Sequence, residues 1–295
     1  MNGLLLVNKP GGFTSFDVVA AARKLTSQKK IGHTGTLDPN ATGVLPLLLG
    51  NATKAQDIIP NHDKEYAAGF KLGVTTDTLD IWGTVKTETE SNIKLDKLTQ
   101  ALEQFRGEIE QIPPMYSAVS VNGKRLYDLA RKGIEVERKS RKVTVYELEL
   151  LDFDEKSQSG MLRVSCSKGT YIRTLIDDIG RLLETGAVMT SLNRTKACGF
   201  DIENCIPLEK LKELSPDEIE EKLISTENLF VTLPELKVSE AQSTRFSHGG
   251  ALDIGRTSLR SAENIEGKIY RVKYNGRFFG LGMVKENELK IYKHF

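Results

Sequence analysis

The alternation of apolar and polar positions predicts helices and strands that are mixed along the chain without a regular order. Apolar residues at helical spacing follow Thr14, a typical helix N-cap, with Asp17 three positions further on. The same spacing predicts further helices that end near Gly107 and Gly186. Short apolar runs predict strands at residues 4–7, 66–72, 143–151 and 162–166. Because strands and helices do not alternate regularly, the pattern favours an α+β fold over a doubly wound sheet.

The pattern changes in the last quarter of the chain, after a strong helix start at Ser215. Residues 269–274 and 277–284 are predicted strands around Asn275-Gly276, the sequence that two-residue hairpin turns prefer. Gly280 inside the second strand indicates a bulge or a close approach of another backbone. A small β-rich unit is therefore expected after a boundary near residue 232.

Composition narrows the class of protein. The chain has 295 residues, 39% hydrophobic and 27% charged, as a folded globular protein does. The longest apolar run, residues 44–49, is too short to cross a membrane and is interrupted by Pro46. No secretory signal is visible at the N-terminus, and three cysteines at irregular spacing suit neither a disulfide framework nor a zinc site. A cytoplasmic protein with buried structural thiols is expected.

Charge is distributed unevenly, although 41 basic and 40 acidic residues leave a net charge of only +1. Residues 120–142 carry eight basic and three acidic side chains, and residues 268–295 carry seven and two, so each stretch has a charge of +5. Between them, nine acids and four bases give residues 208–240 a charge of −5. Two basic stretches are compatible with a bound polyanion and also with ordinary solvated surfaces.

Residues 32–43 are rich in glycine, threonine and proline and are predicted to form an irregular loop. This segment contains one carboxylate, Asp38, and one imidazole, His33, among residues whose main use is to fix the backbone. By itself an aspartate before a proline is more typical of a turn than of a catalyst. Loops on a rigid scaffold also hold reactive groups, so the residues alone leave both roles of Asp38 open.

Several segments resemble the TruB family of tRNA pseudouridine-55 synthases and occur in that family's order. Residues 30–46, KIGHTGTLDPNATGVLP, match its catalytic motif nearly letter for letter. Further matching segments lie at residues 8–15, 50–54, 63–66, 72–80, 111–118 and 166–175. The resemblance implies a mixed, largely antiparallel sheet of the pseudouridine synthase fold, flanked by helices and followed by a small β-barrel of the PUA type. It divides the chain into a catalytic domain, 1–232, and an RNA-binding domain, 233–295.

The resemblance also implies roles for individual residues. Asp38 would be the nucleophile, Arg173 the cation that pairs with it, and Tyr66 the aromatic partner of the target base. Without the resemblance, Tyr66 would be a core residue of a strand and Arg173 a surface charge at a helix start. The other implied site residues are Tyr171 and Leu192 in the uracil pocket, His33 beside the flipped nucleotides, and Lys9, Pro10 and Lys54 as supports.

RNA contacts are expected mainly from the basic stretches. Residues 123–142 correspond to the family's insertion that clasps the RNA loop, and the C-terminal domain would contact the acceptor stem or the 3′ end. The basic residues expected at RNA are Lys124, Arg125, Arg131, Lys132, Arg141, Lys273 and Arg277. The partner would be tRNA, through its T arm and elbow, and the protein would act as a monomer without a protein partner.

Pseudouridine formation is an isomerisation from which no atom leaves, so neither a cofactor nor a metal is expected. A carboxylate can divide the difficult step by covalent attack, and a nearby arginine favours its charged form. The target base must first be flipped out of a folded loop. An additional tRNA-folding role is compatible with this activity. The sequence leaves open whether Asp38 attacks the sugar or the base, and whether other RNAs are substrates.

Three other functions are compatible with parts of the sequence. A non-catalytic RNA-binding protein of the same fold is less favoured, because Asp38, Tyr66 and Arg173 are all present. An RNA-guided relative of the catalytic domain stays open and would differ in needing a guide. An aspartate-nucleophile phosphohydrolase needs a second carboxylate two residues after the first, and position 40 is asparagine.

Overall fold

The computed structural model describes residues 1–121 and 123–295. In chain order the strands of its larger part are β1 (Gly3–Lys9), β2 (Ile31–His33), β3 (Thr42–Leu49), β4 (Lys64–Leu72), β5 (Val74–Thr76), β6 (Val85–Glu88), β7 (Gly107–Gln111), β8 (Ser120–Val121), β9 (Lys124–Arg125), β10 (Arg141–Asp154), β11 (Ser159–Cys166), β12 (Ala187–Ala197), β13 (Phe200–Asp201) and β14 (Ile206–Pro207). The smaller part contains β15 (Glu235–Lys237), β16 (Leu252–Asp253), β17 (Ile269–Tyr274), β18 (Arg277–Lys285) and β19 (Glu288–Lys293). The α-helices are α1 (Ser15–Thr26), α2 (Leu95–Glu103), α3 (Leu126–Ala130), α4 (Ile172–Leu182), α5 (Leu208–Glu213), α6 (Pro216–Glu221) and α7 (Glu240–Ser247). No helix among these residues is long and apolar enough to span a membrane.

A large mixed sheet organises the first part of the chain. Its strands follow the order β14-β1-β3-β12-β4-β11-β10-β7, with β2 paired to β3 and β13 paired to β12. Most neighbours are antiparallel, and the parallel pairs are β1 with β14 and β12 with β3. The predicted α+β class with a mixed, largely antiparallel sheet is therefore confirmed.

Two helices are held in place by features that the sequence pattern shows. Thr14 and Asp17 form a complete capping box at the start of α1, which stabilises a helix start by about 0.5–2 kcal/mol. In α4 the apolar residues Leu175, Ile176 and Ile179 are at most 3% exposed and belong to the main core. This packing fixes the first turn of α4, which carries Arg173, against the sheet.

The C-terminal strands form a separate five-stranded sheet in the order β15-β17-β18-β19-β16. The sheet is open at β15 and β16, so it is a half-barrel with its own core around Leu236, Phe246 and Leu289. Gly280 in β18 has φ +137°, and a Cβ there would lie 2.5 Å from the carbonyl oxygen of Lys293. Another backbone therefore approaches Gly280 closely, as predicted. A second apolar cluster, which includes Leu281, joins this sheet to β1 and β3.

Two strands at the centre of the large sheet were not predicted. β3 is buried along almost its whole length, and β12 carries the fully buried Arg194. The irregular loop is also shorter than residues 32–43, because His33 ends β2 and Thr42 begins β3. Only residues 34–41 connect these strands, and this loop carries Asp38.

Candidate active site

The backbone around Asp38 is fixed by hydrogen bonds from both inside and outside the 34–41 loop. Ser15 Oγ donates to the carbonyl oxygen of Leu37 at 3.2 Å and accepts from the Leu37 amide at 2.8 Å. Within the loop, the amide of Ala41 donates to the carbonyl oxygen of Asp38 at 3.1 Å. These contacts leave the loop little freedom, so the Asp38 carboxylate has a defined direction.

Lys9 supports the loop from the end of β1. Its ammonium group donates to the carbonyl oxygens of Pro10, Phe13 and Pro39 at 2.8, 2.6 and 2.9 Å. Burial lowers the pKa of Lys9 to about 8, although the nearby Asp38 carboxylate acts to raise it. Lys9 and Pro10 therefore lie beneath the loop, where the motif resemblance implies that they act as supports.

Asp38 forms a two-pronged ion pair with Arg173. The Nε atom of Arg173 lies 2.8 Å from Asp38 Oδ2, and its Nη2 atom donates to Asp38 Oδ1 at 3.0 Å. The Arg173 side chain is 6% exposed and that of Asp38 is 36% exposed. The buried guanidinium therefore orients a carboxylate that is still accessible to a substrate.

Backbone and side-chain acceptors fix Arg173 in turn. Its Nη1 atom donates to the carbonyl oxygen of Thr78 at 3.0 Å, and its Nη2 atom donates to that of Tyr116 at 2.9 Å. A second carboxylate, Asp80, has its Oδ2 atom 3.9 Å from Arg173 Nη1. The backbone carbonyls of Thr78 and Tyr116 therefore hold in place the guanidinium that contacts Asp38.

A cavity of about 430 Å³ opens beside this ion pair. Its wall includes Tyr66 from β4, Tyr171 just before α4 and Leu192 from β12, together with Asp38 and Arg173. The cavity therefore offers aromatic and apolar surface around one carboxylate, as a pocket for a planar base requires.

Tyr66 is buried at the wall of this cavity. Burial raises the pKa of its phenol to about 12, while the Arg194 guanidinium acts to lower it. The phenol is therefore a neutral hydrogen-bonding group at neutral pH, with an aromatic face available for stacking.

Comparison with known proteins identifies the family. Residues 23–172 match the sequence profile of the TruB family pseudouridylate synthase N-terminal domain. The chain belongs to the TruB family. Residues 173–239 match a second profile, that of the tRNA pseudouridylate synthase B C-terminal domain. The family suggested by the sequence motifs is therefore confirmed, and with it a pseudouridine synthase activity.

Curated TruB relatives and solved structures extend this similarity over the whole chain. A tRNA pseudouridine synthase B of Clostridium tetani is 45% identical over 294 residues, which cover 99% of each chain. One from Azoarcus sp. is 43% identical and covers 98% of this chain and 93% of its own. The crystal structure of a Cbf5–Nop10–Gar1 complex contains a chain with a TM-score of 0.74 and 26% identity. That similarity covers 99% of this chain and 84% of the other.

A second and larger cavity, of about 820 Å³, is also lined by Asp38 and Arg173. His33 borders this cavity and not the smaller one, and burial followed by the charge of Arg194 lowers the pKa of its imidazole. The remaining wall contains the aromatic residues Phe16, Trp82, Tyr116 and Tyr127 and the basic residues Arg125 and Arg131. Two of the basic residues expected at RNA, Arg125 and Arg131, therefore line the same cavity as Asp38.

Several other predicted residues lie away from Asp38. Lys54 donates to the carbonyl oxygen of His294 near the C-terminus and lines neither cavity. Lys273 lies 3.0 Å from Glu227 and 3.6 Å from Glu235, so its charge is already paired. The remaining basic residues are exposed or half-buried on the surface: Lys124, Lys132, Arg141 and Arg277. Among the described residues, no group of three or more His, Cys, Asp or Glu side chains could hold a metal ion.

Sequence reasoning did not single out three residues that shape the site. Asp80 approaches Arg173, and Gln111 fixes the backbone of Tyr171 by exchanging two hydrogen bonds with it at 2.9 and 3.2 Å. Both lie in segments that match family motifs, which was the available signal. The third residue, Arg194, lies on the unpredicted strand β12. The residues next to Arg194 in the sequence do not indicate that its side chain is buried.

Proposed function

We propose that this protein converts the T-loop uridine of tRNA, at position 55, to pseudouridine, with Asp38 as the covalent catalyst. The observation that carries the proposal is the Asp38–Arg173 ion pair, which opens into a cavity lined by Tyr66 and Tyr171. The names of the full-length relatives support tRNA as the substrate class. The three free cysteines suit work in a reducing cytoplasm.

The reaction breaks the bond between uracil N1 and the ribose and forms a bond from C5 to the same sugar carbon. The proton on C5 leaves, and N1 gains one, so no redox partner is required. Asp38 initiates the exchange by attacking the sugar or the base. Arg173 orients the attacking carboxylate and stabilises it until the substrate arrives.

The cavity residues divide the remaining tasks. Tyr66, which lines the cavity, stacks on the base, and its neutral phenol can relay a proton during the C5 proton transfer. Tyr171 and Leu192 close the apolar part of the pocket, which holds the freed uracil while it turns. His33 borders the adjoining cavity, where it contacts nucleotides around the flipped base.

The decisive experiment maps pseudouridine by mass spectrometry in an unmodified tRNA transcript incubated with the purified chain. We expect one modified uridine, in the T loop, without any guide RNA or added protein. The alternative is an RNA-guided enzyme. It is supported by the similarity of this chain to a chain of a solved H/ACA RNP with bound substrate RNA, which has a TM-score of 0.72. Activity that appears only after a guide RNA is added would support that alternative.

Trp82 offers a test of the larger cavity as the path of the RNA. Its side chain is 50% exposed and lines this cavity together with Asp38, so its ring is accessible to a base. Trp82→Ala is expected to weaken tRNA binding by about 1–3 kcal/mol, the value of one stacked base. Leu95→Ala on α2 is the control, because Leu95 is similarly exposed but lines neither cavity. Equal affinities for both variants, measured by filter binding, would exclude stacking on Trp82.

We further propose that residues 1–232 are the catalytic domain, that 123–142 clasp the T loop, and that 233–295 form a PUA-like RNA-binding domain. The separate core of the C-terminal sheet and its basic surface support this division. Its contact with RNA would lie at the acceptor stem.

Arg277 and Lys273 form a matched pair for testing the C-terminal domain. Arg277 is exposed at the β17–β18 turn, whereas Glu227 and Glu235 already pair with Lys273. Arg277→Ala is expected to make the slope of log binding constant against log salt concentration shallower by about one, the contribution of one phosphate contact. Lys273→Ala is expected to change that slope less. The measurement is the dissociation constant as a function of salt concentration, and identical slopes in all three proteins would contradict a phosphate contact at Arg277.

A further inference from the structure

Arg194 is a fully buried cation at the centre of the large sheet. It lies on β12 with 0% of its surface exposed, opposite Tyr66 of β4 and Gly43 of β3. No carboxylate in the described part of the chain lies within ion-pair distance of it. A buried charge without a counter-ion is costly, so its hydrogen bonds must compensate for the loss of water.

Three hydrogen bonds from Arg194 to backbone carbonyls reach both ends of the 34–41 loop. Its Nη2 and Nη1 atoms donate to the carbonyl oxygens of Gly35 and Thr36 at 3.1 and 3.4 Å, just before Asp38. Its Nε atom donates to the carbonyl oxygen of Val44 at 2.7 Å, just after the loop has become β3. One planar guanidinium therefore joins the entry and the exit of the segment that carries the reactive carboxylate.

The fit around Arg194 is close. A Cβ at Gly43 would lie 2.2 Å from the carbonyl oxygen of Arg194, so glycine is required for β3 to approach β12 here. Gly35 also approaches the guanidinium, since a Cβ there would be 3.7 Å from Arg194 Nη1. The backbones of β3 and β12 therefore approach each other closely at Arg194, and a Cβ at Gly35 would be in van der Waals contact with its guanidinium.

We propose that Arg194 is a positioning residue, whose guanidinium fixes the loop of Asp38 relative to Tyr66. This inference rests on the proposed function, because it gives Arg194 a task only if Asp38 is the catalyst. Lysine has a single point of charge, so it would keep the cation but would not span carbonyls at both ends of the loop. The planar fork is the property on which the proposal depends.

The charge of Arg194 also acts on the ionisable groups around the loop. After burial, it is the second cause that lowers the pKa of His33 and of Lys64. At Tyr66 it opposes the effect of burial, which raises the pKa to about 12. The imidazole of His33 therefore reports whether the charge is still present, since the chain has only four histidines to resolve by NMR.

The experiment compares Arg194→Lys and Arg194→Met with the wild-type chain and with Arg106→Lys. Arg106 is the control because its guanidinium also donates to a backbone carbonyl, that of Leu148, on a partly exposed surface away from both cavities. We expect Arg194→Lys to fold and to bind tRNA normally, but to lower the single-turnover rate by about 100-fold, the cost of a misplaced catalytic group. Amide hydrogens of residues 35–41 should exchange faster, and the pKa of His33 should stay low.

In Arg194→Met the rate should fall at least as far, and the pKa of His33 should rise towards its ordinary value. A wild-type rate in Arg194→Lys would overturn the proposal, because the fork would then be unnecessary. An Arg194→Lys chain that fails to fold would overturn it as well, since Arg194 would then serve the fold as a whole. Asp38→Asn is assayed in parallel. If Asp38→Asn is active, the proposed function fails, whatever the result for the Arg194 variants.

Discussion

Asp38→Asn is expected to abolish pseudouridine formation while tRNA binding survives. Asparagine has nearly the same size and still accepts a hydrogen bond from Arg173, but its amide is not a nucleophile. Loss of the nucleophile in an enzyme that works by covalent catalysis lowers the rate by about 10⁶-fold. The measurement is single-turnover conversion of a T-loop uridine, together with the dissociation constant of the same tRNA.

Asp57→Asn is the matched control, since Asp57 lines the same cavity but has no arginine partner among the described residues. Its rate is expected to fall far less than that of Asp38→Asn. Near-normal turnover by Asp38→Asn would contradict covalent catalysis by this residue. Loss of tRNA binding in that variant would show that the loop has a structural role. An inactive variant that still binds would also allow a separate tRNA-folding role to be measured.

The elements that depend on neighbouring residues could be predicted from the sequence. The Thr14–Asp17 capping box, the buried face of α4 and the Asn275-Gly276 hairpin are all present. Each is determined within a few residues by side chains that satisfy nearby backbone groups or share one face. Such signals require no knowledge of the tertiary structure.

The central strands β3 and β12 could not be predicted in the same way. β3 is buried on both faces and contains Pro46, which has no amide hydrogen to donate to the sheet. β12 includes Arg194 at a fully buried position, which makes sense only once the carbonyls of residues 35, 36 and 44 lie around it. Residues far apart in the chain supply the compensation, so local periodicity is uninformative there.

The candidate site shows the same limit. Asp38 and Arg173 are separated by 135 residues, and only the motif resemblance suggested that they meet. The resemblance implied that Lys54 supports the site, but Lys54 contacts the C-terminal segment, and Lys273, expected at the acceptor stem, is paired with acids. Surface charges have many possible partners of similar energy, so their contacts follow from the detailed packing of the chain.

Arg173→Lys is expected to lower the single-turnover rate by at least about 100-fold, the typical cost of losing one preorganised hydrogen-bond donor. Arg173 donates to Asp38 Oδ1 and to the carbonyls of Thr78 and Tyr116, and its Nε atom lies 2.8 Å from Asp38 Oδ2. A lysine ammonium keeps the charge but cannot replace all these contacts, which several nitrogens of one rigid guanidinium make at once. Asp38 would therefore keep a cation nearby and lose its orientation.

Arg173→Met removes the charge as well, and is expected to be more damaging. It leaves Asp38 and the nearby Asp80 without their common partner, and breaking a buried ion pair costs about 3–5 kcal/mol of folding stability. Because Asp38 is 36% exposed, water can replace part of that interaction, and the loss of stability should lie below this range. Thermal unfolding of both variants measures this difference.

Arg181→Lys provides the control for both substitutions, because Arg181 lies on the same helix, is 72% exposed and pairs with Asp177. It should leave the rate and the thermal stability nearly unchanged, as an exposed ion pair contributes little. If Arg173→Lys were as active as Arg181→Lys, the geometry of the ion pair would not matter to catalysis. A loss of rate in Arg173→Lys at wild-type stability and tRNA affinity would instead show that orientation of Asp38, beyond the presence of a positive charge, limits the reaction.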